Sequence, residues 1–290
     1  MKESTGYKVF KCFNMMIMFL LMVVTMYPFL VVIAQSFSSE AYIVAGDVSI
    51  IPRGFNFLTY QAVMGDRMFW INYRNTVVYT VLGTIFSMMI TMMIAYVLSK
   101  KRLLGRNALL FYVVFTMFVQ GGLIPNFVLV SRLNMLNTMW AVVIPGALSI
   151  MNVLIMKTFF ENIPVELEEA ASIDGLSQIG VLLRIILPLS KPIMATMVLF
   201  YAVGYWNSWF SAFLYLDQRE LFPVTIYLRN LLAGVTGSQN VMAEQSIDND
   251  FRISANIRAV TIILTMLPIL TLYPFVQKYF VKGVMLGSVK

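Results

Sequence analysis

Within one apolar run the chain sets Tyr205, Trp206, Asn207, Ser208 and Trp209 side by side. Aromatic faces stack on the C–H surfaces of sugars, while amides and hydroxyls take up sugar OH groups. Trp206 beside Asn207 therefore has the composition of a carbohydrate contact. At helical spacing Trp206, Trp209 or Phe210, and Phe213 would share one face. Trp206 lies about fifteen residues into the run, which at ~1.5 Å per residue is near mid-membrane or just beyond it. Interfacial tryptophans usually sit shallower. A second group is Gln120-Gly121-Gly122 followed by Pro125-Asn126. Gly-Gly ahead of Pro loosens a helix, and open backbone at membrane depth survives where it is buried in protein or lines a cavity. Gln120 and Asn126 are then pathway candidates, with Asn152 a weaker one. For both groups the competing reading is packing: helix–helix contact around the aromatics, and a kink filled by a neighbouring helix around the glycines. Other chemistries are excluded by composition. With no histidine, His-based zinc sites and Ser-His-Asp or Cys-His catalysis cannot be built. Cys12 is the sole cysteine, so no disulfide framework exists. The 22 methionines read as adaptable packing.

The elements that must carry these residues follow from charge. The 290 residues are 59% hydrophobic and 12% charged, about half the charged share of a soluble domain. Disorder needs the opposite balance. A charge at mid-bilayer costs several kcal/mol, so spanning helices show as long charge-free gaps of about 20 residues. Six gaps qualify. They predict an all-α polytopic membrane protein with six transmembrane helices, about 12–37, 75–99, 107–131, 136–156, 192–216 and 259–277, forming a single domain over 1–290. The first gap is too long for a cleaved signal peptide and lacks a small-x-small site after it, so it is expected to persist as a helix. Of the 21 Lys and Arg, thirteen fall on the side of the termini when the N-terminus is placed inside, and every lysine is among them. The positive-inside rule then makes both termini cytoplasmic. The net charge of +7 reads as topology; no clustered basic surface suggests nucleic acid. The external segments, 40–74 and 217–258, are modest, the second opening with an amphipathic piece from Phe222 to Leu232.

The cytoplasmic loop 161–190 is the most informative stretch. Pro164 suits a first helical turn, and Glu166, Glu168 and Glu169 sit near that N-terminus, where the helix dipole favours negative charge. Asp174-Gly175 ends the helix, glycine taking the left-handed conformation. A second helix is predicted from Leu176 to about Leu187, with Val181, Leu182, Ile185 and Ile186 at helical spacing and Pro188 stopping it. Pro192 opens the next span.

Glu169-Ala170-Ala171, three residues, Gly175, nine residues, Ile185, one residue and Leu187-Pro188 resemble, position by position, the signature loop of ATP-binding-cassette importer permeases. The resemblance implies that this loop is a pair of short coupling helices, a knob seated in a cleft of an ATP-binding subunit. It assigns the coupling role to Glu168, Glu169, Ala170, Ala171, Asp174, Gly175, Leu187 and Pro188. Small Ala170 and Ala171 allow a close seat, Glu169 offers an anchor for a basic group of that subunit, and Gly175 permits the tight reversal. The tail 278–290, with Gln277 before it, is similar to that of the second permease of maltose-type importers, where it runs toward the interface of the two ATP-binding subunits. The stretch Gly121 to Gly146, and Phe200 to Leu216, look like a subgroup handling complex oligosaccharides. The similarity covers most of the chain from about Ala95.

The sequence holds no Gly-x-x-x-x-Gly-Lys-Ser/Thr loop, so ATP hydrolysis is not expected of this chain. The resemblance places ATP and Mg on two partner ATP-binding subunits, and implies a second homologous permease, an extracytoplasmic solute-binding protein and the bacterial cytoplasmic membrane as the setting. A permease for a non-sugar solute is the main alternative; a strongly charged cargo would want counter-charges in the spans, and the gaps contain none. An intramembrane enzyme or a proton-coupled secondary transporter would need acids or bases at membrane depth, which are likewise missing.

Overall fold

Apolar segments that must leave water satisfy their own backbone polar groups by coiling. The structure, a computed structural model, describes residues 4–237 and 255–283, and among these no strand forms. The helices are α1 Thr5–Ser36, α2 Glu40–Val44, α3 Leu58–Gly65, α4 Arg67–Ser99, α5 Arg106–Phe118, α6 Leu123–Arg132, α7 Met139–Val143, α8 Ile150–Glu161, α9 Val165–Ile173, α10 Gln178–Val181, α11 Leu187–Leu189, α12 Lys191–Trp206, α13 Phe210–Tyr215, α14 Val224–Gly237 and α15 Ala255–Gly283. The polar stretch 238–254 and the tail residues 284–290 lie outside the described residues.

Continuity differs between the predicted spans. Gly6–Ser36 and Arg67–Ser99 are unbroken, with mean hydropathy 2.6 and 2.1. At ~1.5 Å per residue the 33 residues of α4 extend about 50 Å, well beyond a hydrocarbon core of ~30 Å, and the surplus turns carry Arg67 and Arg74. The predicted span 107–131 is two helices, α5 and α6, meeting at 108°. The loosening expected at Gly121-Gly122 is a full corner, with Gly122 at φ +83°. Span 136–156 is interrupted between α7 and α8, where Pro145-Gly146 lie. Span 192–216 is also two pieces. Asn207 caps α12, its Nδ2 donating to the Val203 carbonyl at 3.0 Å, and the Ser208 carbonyl accepts from Thr225 Oγ1 at 2.9 Å. Trp206 ends α12 and Phe210 begins α13, so Trp206, Phe210 and Phe213 do not share one helical face, contrary to expectation. The Asn207 side chain competes for the Val203 carbonyl that its own backbone N–H also uses, and Thr225, from another segment, takes the Ser208 carbonyl, so the stop rests on both.

The chain divides into two compact units. In the first, 1–69 with 228–267, a buried amide organises the polar interior. Asn256 Nδ2 donates to the Ser38 carbonyl at 3.1 Å, and its Oδ1 accepts from Thr59 Oγ1 at 2.9 Å. Phe37 stacks on Phe55 and on Tyr60 beside it, with centroids 5.7 and 5.3 Å apart.

The second unit, 70–227 with 268–290, carries the site. Its core joins α4, α8, the α9–α11 segment and α12, through wholly buried Ala95, Val153, Met156, Ile186 and Met197. Two tyrosines one turn apart on α12 bolt this core together. Tyr205 OH donates to the Val143 carbonyl at 2.9 Å and shares a 2.9 Å bond with Ser87 Oγ; Tyr201 OH bonds Thr91 Oγ1 at 2.6 Å and accepts from the Ser149 amide at 3.3 Å. Val143 and Ser149 flank the α7–α8 interruption, so the tyrosines occupy backbone groups the break sets free.

Candidate functional site

The loop 161–190 folds as a compact knob. α9 carries Glu166 and Glu168 in its first turn, where the dipole favours them. It closes with paired reversal bonds: Gly175 N–H donates to the Ser172 carbonyl at 3.1 Å and Leu176 N–H to the Ala171 carbonyl at 3.0 Å. This pairing requires a left-handed residue after the cap, and Gly175 has φ +84°. Ser177 then caps α10, its Oγ accepting the Gly180 amide at 3.2 Å. The helical path does not stop at Pro188. It passes through a wide π turn, Leu182–Ile186, and continues through α11 to Leu189. Proline lacks an amide and its ring crowds the carbonyl four residues earlier; the wide turn makes room for it. The corner falls at Ser190, after which the path turns by 88° into α12.

The knob's surface and root differ in character. Glu169 and Ala170 are exposed, Ala171 is buried, and Ile173 is 86% exposed, with Ile179 and Leu183 also uncovered. Leu187 packs against the core while Pro188 remains exposed.

Basic residues from the α4–α5 turn hold the knob's acids. Lys100 pairs with Glu168 and lies over the Tyr96 ring, 3.8 Å from its centroid; the Tyr96 hydroxyl reaches Gln178 Oε1 at 3.3 Å. Thus the end of α4 touches both limbs of the knob. Arg102 Nη2 meets Glu169 Oε1 at 2.5 Å. The cation expected from another subunit has a counterpart inside the chain, though this pair is exposed, 83% for Arg102 and 48% for Glu169. Arg106 pairs with Glu161, which also receives Lys157 Nζ at 2.8 Å. Sequence reading missed Lys100, Arg102 and Arg106 as partners of this loop. The i,i+4 spacing of Lys157 and Glu161 was the one local signal.

The pathway candidates separate into two sets. Tyr205 and Trp206 are buried; Tyr205 is a bolt between helices, and the Trp206 ring meets Tyr73 edge-on at 5.8 Å. Gln120, Asn126, Asn207 and Trp209 are exposed. α6, which carries Asn126, and α13, which Trp209 precedes, pack through stacked Phe127 and Tyr215, centroids 6.1 Å apart. Asn152 is buried on α8, where its backbone N–H donates to the capping Ser149 Oγ at 3.4 Å.

Residues 62–286, spanning the knob and its basic partners, match the family described as binding-protein-dependent transport system inner membrane component. The chain belongs to that family. As an inner membrane component of this kind it resembles the polygalacturonan/rhamnogalacturonan transport system permease protein YtcP of Bacillus subtilis, 40% identical over 97% of this chain and 99% of the relative. It is 25% identical to the arabinooligosaccharides transport system permease protein AraQ of Halalkalibacterium halodurans, over 92% of each. Among solved structures it resembles a chain of a bacterial ABC transporter involved in the import of the acidic polysaccharide alginate. There the identity is 31%, the TM-score 0.86, and the cover 97% of this permease and 99% of that chain.

Proposed function

We propose that this chain is the membrane-spanning permease subunit of an ATP-driven, binding-protein-dependent importer of oligosaccharides. The observation that carries this reading is the knob. α9, the Gly175 reversal and α10 present Glu169, Ala170 and Ile173 on a face that is exposed among the described residues. A large aliphatic group bared beside small side chains and a carboxylate suits a close seat on another protein. The names of the relatives, for polygalacturonan, arabinooligosaccharides and alginate, support oligosaccharide as the cargo class.

In this reading six spans set both termini, the knob and the lysine-rich turn at the cytoplasmic face of a bacterial cytoplasmic membrane. Two ATP-binding subunits, holding ATP and Mg, seat the knob and that of a second homologous permease. Their closure on ATP moves both knobs, and rigid-body rocking turns the shared cavity outward. An extracytoplasmic binding protein then delivers sugar, and hydrolysis resets the cycle. Exposed Gln120, Asn126, Asn207 and Trp209 give the cargo weak contacts, as a pump that must release it requires. Buried Tyr205 and Trp206 support that wall from behind.

The test is reconstitution with the second permease and the ATP-binding subunits in proteoliposomes. Binding protein loaded with oligogalacturonides or arabino-oligosaccharides is expected to stimulate ATP hydrolysis. Glu169→Gln lowers that stimulation while leaving the thermal stability of the isolated chain unchanged, since an exposed pair contributes only about 0–1 kcal/mol. Sugar movement by this chain alone, driven by a proton gradient, would remove the proposal.

A further inference from the structure

Three helix ends meet at one guanidinium. Arg106 opens α5, and its Nε donates to the Leu98 carbonyl in the last turn of α4 at 2.8 Å. Its Nη2 pairs with Glu161, the last residue of α8, whose other oxygen takes Lys157. The side chains are 20%, 18% and 12% exposed for Arg106, Glu161 and Lys157.

The helix dipoles make this trio interdependent. A cation at the end of α4 is favourable, but the same cation at the start of α5 is not. Glu161 at the end of α8 is equally misplaced by itself. Each unfavourable placement is compensated only by the opposite charge beside it, and in a partly buried setting loss of one member strands the others. The trio therefore forms as a whole or fails as a whole.

Its position gives it consequence. Only residues 162–164 separate Glu161 from the start of α9. That link is itself held, Asn162 N–H donating to the Phe159 carbonyl at 3.1 Å and Ile163 N–H to the Phe160 carbonyl at 3.2 Å. We propose that Arg106, Glu161 and Lys157 are positioning residues, a joint that makes the α9–α10 knob move with α4, α5 and α8 as one body when the ATP-binding subunits close. This rests on the importer reading and adds which residues carry the motion.

The test uses the full assembly with both permeases and both ATP-binding subunits, in nanodiscs, and needs no cargo. In a Cys12→Ser background, spin labels are placed at Ile179→Cys on α10 of the knob and Leu104→Cys on the α4–α5 turn, both exposed positions. Distances are recorded before and after adding a non-hydrolysable ATP analogue. The expected result is one narrow distance that nucleotide leaves unmoved. With Glu161→Gln, which keeps size and removes the charge, the distance is expected to shift on nucleotide binding; Arg106→Met should do the same. A wild-type distance that changes with nucleotide would overturn the proposal. So would a Glu161→Gln assembly, recovered in normal yield, that keeps the narrow unmoved distance, or one whose distance is already broad without nucleotide, since the trio would then hold only the resting fold. Failure of the ATP-binding subunits to copurify with the unsubstituted chain would take down the importer reading itself, and this joint with it.

Discussion

At Gly175 the constraint is conformational rather than steric. A Cβ built there would meet nothing within 4 Å, yet φ is +84°. For most L residues the left-handed conformation costs roughly 1–2 kcal/mol, and Asn tolerates it best. Gly175→Val should therefore open the reversal between α9 and α10 and reduce uptake by about fivefold to thirtyfold, the factor that such an energy represents. Gly175→Asn should retain most activity. Uptake by cells carrying each variant, compared at equal membrane levels by immunoblot, separates the two. Equal losses would mean that the surface at 175, and not its backbone, matters. This position was legible in the sequence because a helix end is a local event, written in Asp174-Gly175 after Ala170-Ala171. The Arg102–Glu169 and Lys100–Glu168 pairs were not legible. They join residues 67 and 68 positions apart, and no spacing rule reaches that far.

The charge-free gaps predict where apolar helices lie, but gaps carry no information about continuity. Gly121-Gly122 announced its corner because glycine opens backbone geometry. Asn207-Ser208 did not, since the stop of α12 depends on Thr225, which arrives from another segment. Likewise Tyr205 looked like a sugar contact by residue type, and only its partners, Val143 and Ser87, make it a bolt. Tyr205→Phe leaves the buried Val143 carbonyl without its donor and should lower stability by about 1–3 kcal/mol. The same contact explains Gly83, where a Cβ would stand 2.6 Å from the Tyr205 ring. Gly83→Ala forces α4 and α12 apart and should cost a further ~1–3 kcal/mol by overpacking. If the ring is the obstacle, the cost of Gly83→Ala shrinks in a Tyr205→Leu background, a non-additivity readable by thermal unfolding of detergent-purified protein. Strictly additive effects would mean that Gly83 matters for another reason.

For the whole molecule, α1 states the environment most directly. Among the described residues, none in its most apolar stretch is buried. An apolar helical stretch of that length bared to water far exceeds the patches usual on a soluble monomer, so hydrocarbon or another apolar chain must cover it. The proposed orientation rests on the basic residues, because Lys and Arg in short loops are retained on the cytoplasmic side. Leu104, in the turn with Lys100, Lys101 and Arg102, and Ile51, in the segment after α1, are both exposed and should lie on opposite faces. In a Cys12→Ser background a membrane-impermeant maleimide should label Ile51→Cys on right-side-out vesicles and Leu104→Cys only on inverted ones. The result bears on mechanism as well as topology. Lys100, Arg102 and Arg106 are bonded to Glu168, Glu169 and Glu161, so the turn and the knob must share one side. Labelling of Leu104→Cys from outside would put the knob out of reach of any cytosolic ATPase and would end the importer proposal along with the orientation.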